Sequence, residues 1–177
     1  MIDELLDLPI PQKVNKEVVD YLGKQQWSFV NDIDKKYSNS LYDISTNPSI
    51  RDAGQAIVTY VKDGECKPDN LLNFFGHLIF SLIQERSKFK IKNINRLYWN
   101  FYTPVSEMNF HVDDHNPDKS ISAVYNLHTN DGGTVVQDNF IYSKESQAVI
   151  FKSEKLHKGV APKISNCRLS LNLVMSI

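Results

Sequence analysis

The sequence predicts a mainly β domain whose helices sit in its N-terminal half. Three observations carry that prediction. Residues 94–177 break into short segments that alternate apolar and polar side chains. Turns rich in Asn, Asp, Gly, Pro and Ser separate these segments, a pattern of sandwiches and barrels. Upstream, helical spacing is clear only in residues 13–24 and 69–88.

Composition narrows the class. The 177 residues suffice for one domain with a sizeable core. With 41% hydrophobic and 23% charged residues the chain is a folding one, and a net charge of -1 gives no overall basic field, so nucleic acid is not a favoured partner. Two cysteines, Cys66 and Cys167, are too few for a disulfide framework, and reduced thiols are expected. Met1-Ile2-Asp3-Glu4 lacks the basic and apolar parts of a secretory signal. The longest apolar run, 73–83, is too short to span a bilayer. A cytoplasmic protein without membrane contact is expected.

Residues 1–12 are apolar and broken by Pro9 and Pro11, and read as a surface segment. In 13–24, Val14, Val18, Val19 and Leu22 follow helical spacing and Gly23 is a stop. Residues 26–31 alternate as a strand, 32–51 read as a long polar loop, and 53–61 suit strand or helix, with Ile57, Val58, Tyr60 and Val61 favouring strand. Asp69 is placed to cap a helix whose apolar face comprises Leu71, Leu72, Phe75, Leu78, Ile79, Leu82 and Ile83. His77 on it has no acidic or histidine partner at i+3 or i+4. Strands are predicted at 94–103, 120–128, 134–138, 147–152, 157–161 and 168–177. In the last, Leu169, Leu171, Leu173, Met175 and Ile177 share one face, while Arg168, Ser170 and Asn172 share the other. An arginine on an inward face needs an anionic partner, because burying it unpaired is costly.

The chemistry concentrates in Phe110-His111-Val112-Asp113-Asp114-His115. On extended backbone His111 and Asp113 project to the same side. His157, 44 residues beyond Asp113 at the start of a short strand, is the best third ligand. Two histidines and one carboxylate leave three coordination positions open, which suits non-haem Fe(II) with a bidentate co-substrate and O2. Catalytic zinc keeps fewer positions open. His115 is the rival to His111. Asp114 points away from Asp113, and His128 reads as a surface histidine beside a turn. The spacing His-x-Asp is weak alone and gains specificity from the distal His157 and the Arg168-x-Ser170 pattern.

That ordered set, with Tyr125-Asn126-Leu127-His128-Thr129-Asn130-Asp131-Gly132-Gly133-Thr134 between its parts, resembles the Fe(II)/2-oxoglutarate-dependent dioxygenases, in particular the prolyl-4-hydroxylase-like branch and its small phage and bacterial members. The resemblance covers 94–177 well and the N-terminal half only in layout. It implies a double-stranded β-helix, or jelly roll, buttressed by helices. It implies one oxygenase domain over 1–177, with 1–92 as a mixed support region and 93–177 as the jelly-roll core. By resemblance the iron ligands fall on His111, Asp113 and His157. The residue gripping the distal carboxylate of 2-oxoglutarate falls on Arg168, eleven positions after His157, with Ser170 beside it. Arginine suits the task, since its planar fork pairs both carboxylate oxygens. Tyr102 matches a pocket tyrosine of relatives. Asn126 stands where many relatives carry a tyrosine, which leaves Asn126, Tyr98, Asn100 and Tyr102 as alternatives for a second anchor.

The implied activity is hydroxylation of a C–H bond, using Fe(II), 2-oxoglutarate and O2 with ascorbate as an auxiliary, and releasing succinate and CO2. A prolyl or other protein residue, a free amino acid and a nucleobase are all candidate substrates. Two other classes compete: a non-enzymatic jelly-roll binding module, which leaves the clustered ligands and Arg168 unexplained, and a cupin-like metal isomerase, which uses more histidines and needs no Arg168. The basic run Arg86, Lys88, Lys90, Lys92 and Arg96 reads as a solvated face. The polar loop 32–51 and residues 114–119 are candidates for a substrate lid.

Overall fold

The computed structural model describes residues 2–29, 55–61, 69–106, 108–114 and 119–177. The expected loop 32–51, the turn 116–118, Cys66 and His115 lie outside them. Among the described residues two helices and ten strands form, in the order β1 (Glu4–Asp7), α1 (Gln12–Leu22), β2 (Ser28–Phe29), β3 (Gln55–Val61), α2 (Asn70–Arg86), β4 (Asn93–Tyr102), β5 (Ser120–Asn126), β6 (Gly133–Val136), β7 (Asn139–Tyr142), β8 (Gln147–Lys152), β9 (His157–Val160) and β10 (Arg168–Ser176). The mainly antiparallel β character expected of residues 94–177 is present, and segment 55–61 resolves as strand.

The strands make a large sheet of order β1-β8-β5-β10-β4-β3-β2 and a small one of order β7-β6-β9. All pairings are antiparallel. β10 lies at the centre of the large sheet, and its alternation divides two environments. Leu169, Leu171, Leu173 and Met175 join Leu97, Trp99, Ile121, Ala123, Tyr125 and Ile150 in the main core, under α1 and α2. The opposite face looks toward the small sheet, where Val124, Val136, Val149 and Phe151 form a second apolar cluster.

α2 begins at the expected cap, with Leu72 N donating to Asp69 Oδ1 at 2.9 Å. Its buried residues are Leu72, Phe75, Gly76, Ile79 and Ile83, whereas Leu71 and Leu78 are exposed, so the buried stripe is narrower than the apolar face of the sequence. Gly76 permits a close approach to the sheet, since a Cβ there would overlap Leu97 Cδ1. Gly76→Ala is expected to cost about 1–3 kcal/mol through overpacking, read as a lower thermal midpoint with activity per folded molecule unchanged. No helix among the described residues is long and apolar enough to cross a membrane.

Two segments differ from expectation. Residues 4–7 are an edge strand on β8, with Leu5 opposite Val149, and not a surface strap. The pairing supplies backbone partners that the apolar, proline-broken composition does not announce. β7 is a strand that the sequence conceals. Its hairpin with β6 turns through Gln137-Asp138, with Gln137 at φ 55°. That left-handed conformation is commonly signalled by Gly or Asn, so this turn carries no familiar signature.

Candidate metal and co-substrate site

The polar face of the large sheet is set by register. Arg168 lies opposite Tyr102, Ser170 opposite both Asn100 and Asn126, and Asn172 opposite Tyr98. The row therefore has polar groups from three adjacent strands. Several are buried without a hydrogen-bond partner: Arg168 Nε, Ser170 Oγ, Asn126 Oδ1 and Asn172 Oδ1. Such atoms are rare unless a ligand satisfies them.

His111 is pinned to the first residue of β9 by a reciprocal backbone pair, His111 N to His157 O and His157 N to His111 O, both 2.9 Å. β4 has already ended at Tyr102, so this pair, and not a continuation of the 94–103 strand, holds His111. Asp113 follows on backbone that donates to Ser153 O at 2.9 Å. The three side chains converge, with one donor atom each, within 4.8 Å of one another. His157 Nε2 lies 3.4 Å from Asp113 Oδ2, and His111 Nε2 lies 3.9 Å from Asp113 Oδ1.

The ring orientations fit a metal. His157 Nδ1 lies 2.9 Å from Lys155 O and His111 Nδ1 lies 3.2 Å from Asn109 O. Each carbonyl calls for a proton on Nδ1, which leaves the Nε2 lone pairs facing the cluster. His157 Nε2 is buried and makes no hydrogen bond. Burial and the neighbouring His157 push His111 down to about 4, so its imidazole is neutral at ordinary pH. Burial works to raise the Asp113 carboxyl, but His157, Arg96 and His111 outweigh it and hold the group well below the usual carboxylate range. Two imidazoles and an ionised carboxylate are a donor set for a divalent transition metal.

The expected anion-binding arginine is fully inside. Arg168 is 1% exposed. It donates from Nη2 to Thr134 Oγ1 at 2.8 Å and from Nη1 to the Val160 carbonyl at 3.5 Å, and its guanidinium lies 5.2 Å from the Tyr102 ring centroid. No carboxylate among the described residues pairs with it. Burial lowers its pKa from the ordinary value, the signature of a cation short of a counter-charge. Tyr102 packs against Gly159, where a Cβ would come within 2.7 Å of the phenol oxygen. Gly159→Ala is therefore expected to push Tyr102 off Arg168 and to cost about 1–3 kcal/mol through overpacking, read as a lower thermal midpoint.

The other candidates resolve as follows. Ser170 and Asn126 share the sheet face of Arg168, and Asn126 Nδ2 also donates to Gln147 O at 3.3 Å. Asp114 turns away to accept from Ser120 Oγ at 2.7 Å. His128 is not a surface histidine: it is half-buried and accepts the Leu169 N–H at 3.1 Å, finishing the β5–β10 edge. Arg96 does not belong to a solvated basic face either. It lies on the polar face of β4, two residues before Tyr98, and donates to Asp113 Oδ1 at 2.7 Å. Ser122 donates to Asp113 Oδ2 at 2.5 Å. Arg96, Ser122 and Thr134 were invisible as site residues, although the strand alternation puts Arg96 and Ser122 on the faces of Tyr98 and Asn126.

Neither a family model nor a curated protein matches the sequence. Solved structures do match. Viral collagen prolyl hydroxylase vCPH of Paramecium bursaria Chlorella virus-1 aligns with TM-score 0.59 and 11% identity over 98% of this chain and 89% of its own. A Pseudomonas putida prolyl-4-hydroxylase aligns with TM-score 0.55 and 14% identity over 98% and 90%. The fold is that of the prolyl-4-hydroxylase-like 2-oxoglutarate oxygenases. HygX of Streptomyces hygroscopicus, solved with nickel and 2-oxoglutarate bound, aligns with TM-score 0.61 and 8% identity over 97% of this chain and 81% of its own. With identities this low, the likeness to these oxygenases is one of fold, and the arguments for chemistry come from the side chains above.

Proposed function

We propose that the protein is an Fe(II)- and 2-oxoglutarate-dependent dioxygenase, built as a single double-stranded β-helix domain in which residues 1–92 support a 93–177 core. His111, Asp113 and His157 hold the iron. Arg168 binds the distal carboxylate of 2-oxoglutarate, with Ser170, Tyr102 and Asn126 lining its site. The observation that carries this reading is the buried Arg168 guanidinium, without a carboxylate partner among the described residues, in the same inter-sheet space as the His-Asp-His cluster.

The spacing supports it. Val160, whose carbonyl Arg168 reaches, lies three residues along β9 from His157, a rise of roughly 10 Å. A five-carbon dicarboxylate can bridge between a metal at one end and a guanidinium at the other. When bound, iron and 2-oxoglutarate supply the oxidising chemistry that splits O2, yielding succinate, CO2 and a hydroxylated substrate. The chain's own contribution is orientation. The carbonyls of Asn109 and Lys155 fix both imidazoles, and Arg168 fixes the far end of the co-substrate against Tyr102 and Thr134. Burial, with the charge of Asp113, holds the Tyr98 and Tyr102 phenols above their ordinary range, so both remain neutral hydrogen-bonding groups. The Val124, Val136, Val149 and Phe151 cluster excludes water from one side of this space.

The experiment is succinate release from purified protein with Fe(II), ascorbate and 2-oxoglutarate, across amino acids, peptides (prolyl ones included) and nucleic acids. Slow iron-dependent release without substrate, accelerated by one class, is the expected result. No release above a metal-free control in any condition would overturn the proposal.

A further inference from the structure

We propose that Arg96 stands in for a cation at the Asp113 carboxylate, balancing its charge before a metal binds and weakening the metal's grip once it does. The inference rests on reading His111, Asp113 and His157 as the metal ligands.

Asp113 is 3% exposed at its side chain. A carboxylate so deeply placed needs a counter-charge. Arg96 Nη2 supplies one at 2.7 Å from Oδ1, and Ser122 adds a neutral hydrogen bond on Oδ2. Together they take two of about four lone-pair directions and leave the others open. Arg96 is itself held in place: its guanidinium lies 5.0 Å from the centroid of the Tyr98 ring, whose hydroxyl accepts from Asn172 Nδ2 at 3.1 Å.

Two effects oppose each other. Arg96 orders the carboxylate, which favours metal binding, but its positive charge repels an arriving dication. The geometry decides between them. Ser122 still holds Oδ2, Ser153 Oγ lies 2.9 Å from Ser122 Oγ, and Ser153 O accepts the Asp113 N–H. Placement of Asp113 therefore survives without Arg96, whereas its charge balance does not. Charge wins, and Arg96 lowers metal affinity.

The test is titration of Co(II) alone into the wild type, Arg96→Gln, Arg96→Lys and Asp113→Asn. Arg96→Gln is expected to bind Co(II) about tenfold tighter or more, Arg96→Lys to stay within a few-fold of wild type, and Asp113→Asn to lose binding. Saturating Co(II) should also raise the melting temperature of Arg96→Gln more than that of wild type. Equal or weaker binding by Arg96→Gln, or equal Co(II)-induced shifts, overturns the proposal. If the wild type takes no Co(II), the metal reading falls and this inference with it; if the wild type binds and Arg96→Gln gains nothing, this inference alone falls. Should Arg96→Gln fail to fold alone, recovery by Co(II), together with metal-independent folding of Arg96→Gln/Asp113→Asn, supports the role. Absence of either behaviour overturns it.

Discussion

Asp113→Ala is expected to abolish 2-oxoglutarate turnover and to weaken divalent-metal binding by at least about a hundredfold, more than the loss of an outer-shell partner costs. The substitution removes the only anionic member of the His111, Asp113, His157 cluster. Two imidazoles remain, and neither carries the negative charge that balances a dication. The fold should persist, because Arg96 is 22% exposed at its side chain and can turn toward water once its partner is gone. Circular dichroism would separate loss of site from loss of structure. Full iron-dependent succinate release by a folded Asp113→Ala protein would contradict the assignment.

Arg168→Ala is expected to raise the KM for 2-oxoglutarate by roughly 30-fold to several thousand-fold, the equivalent of about 2–5 kcal/mol for truncating a buried, hydrogen-bonded charge partner. The effect on kcat should be smaller, since the proposed role of Arg168 is at the end of the co-substrate remote from the metal. Stability should change little in either direction. The truncation leaves a cavity, but it also removes a buried cation that no described carboxylate neutralises. Steady-state kinetics and a thermal melt on the same preparation measure both effects. An unchanged KM would remove Arg168 from the role.

Those two residues were readable from sequence for different reasons. Arg168 sits in the cleanest alternation of the chain, and a charged group on the inward face of such a strand stands out. His111, Asp113 and His157 were readable through their order and through strand boundaries. What the sequence did not reveal follows one rule: it concerns partners that depend on register. Arg96 looks like one more cation in a run with Lys88, Lys90 and Lys92, and only the pairing of β4 with β10 and the return of the chain at 111–114 bring it to Asp113. Ser122 and Thr134 are ordinary strand residues until the two sheets face each other. β1 and β7 were missed because their evidence is a neighbour's free edge and a turn without Gly or Asn.

The central place of β10 has a consequence for how the protein comes into being. β10 separates β4 from β5, so residues 93–102 and 120–126 have no direct pairing with each other and depend on 168–176 to be joined. During synthesis, then, the two halves of the large sheet wait to be joined by residues made some 40 to 80 positions later, and Arg168 arrives with them. Long-range pairing of this kind slows folding and leaves strand edges open in the meantime. A nascent chain stalled before residue 168 would hold His111, Asp113 and His157 between two unjoined half-sheets, and its open strand edges would make it a client for chaperones.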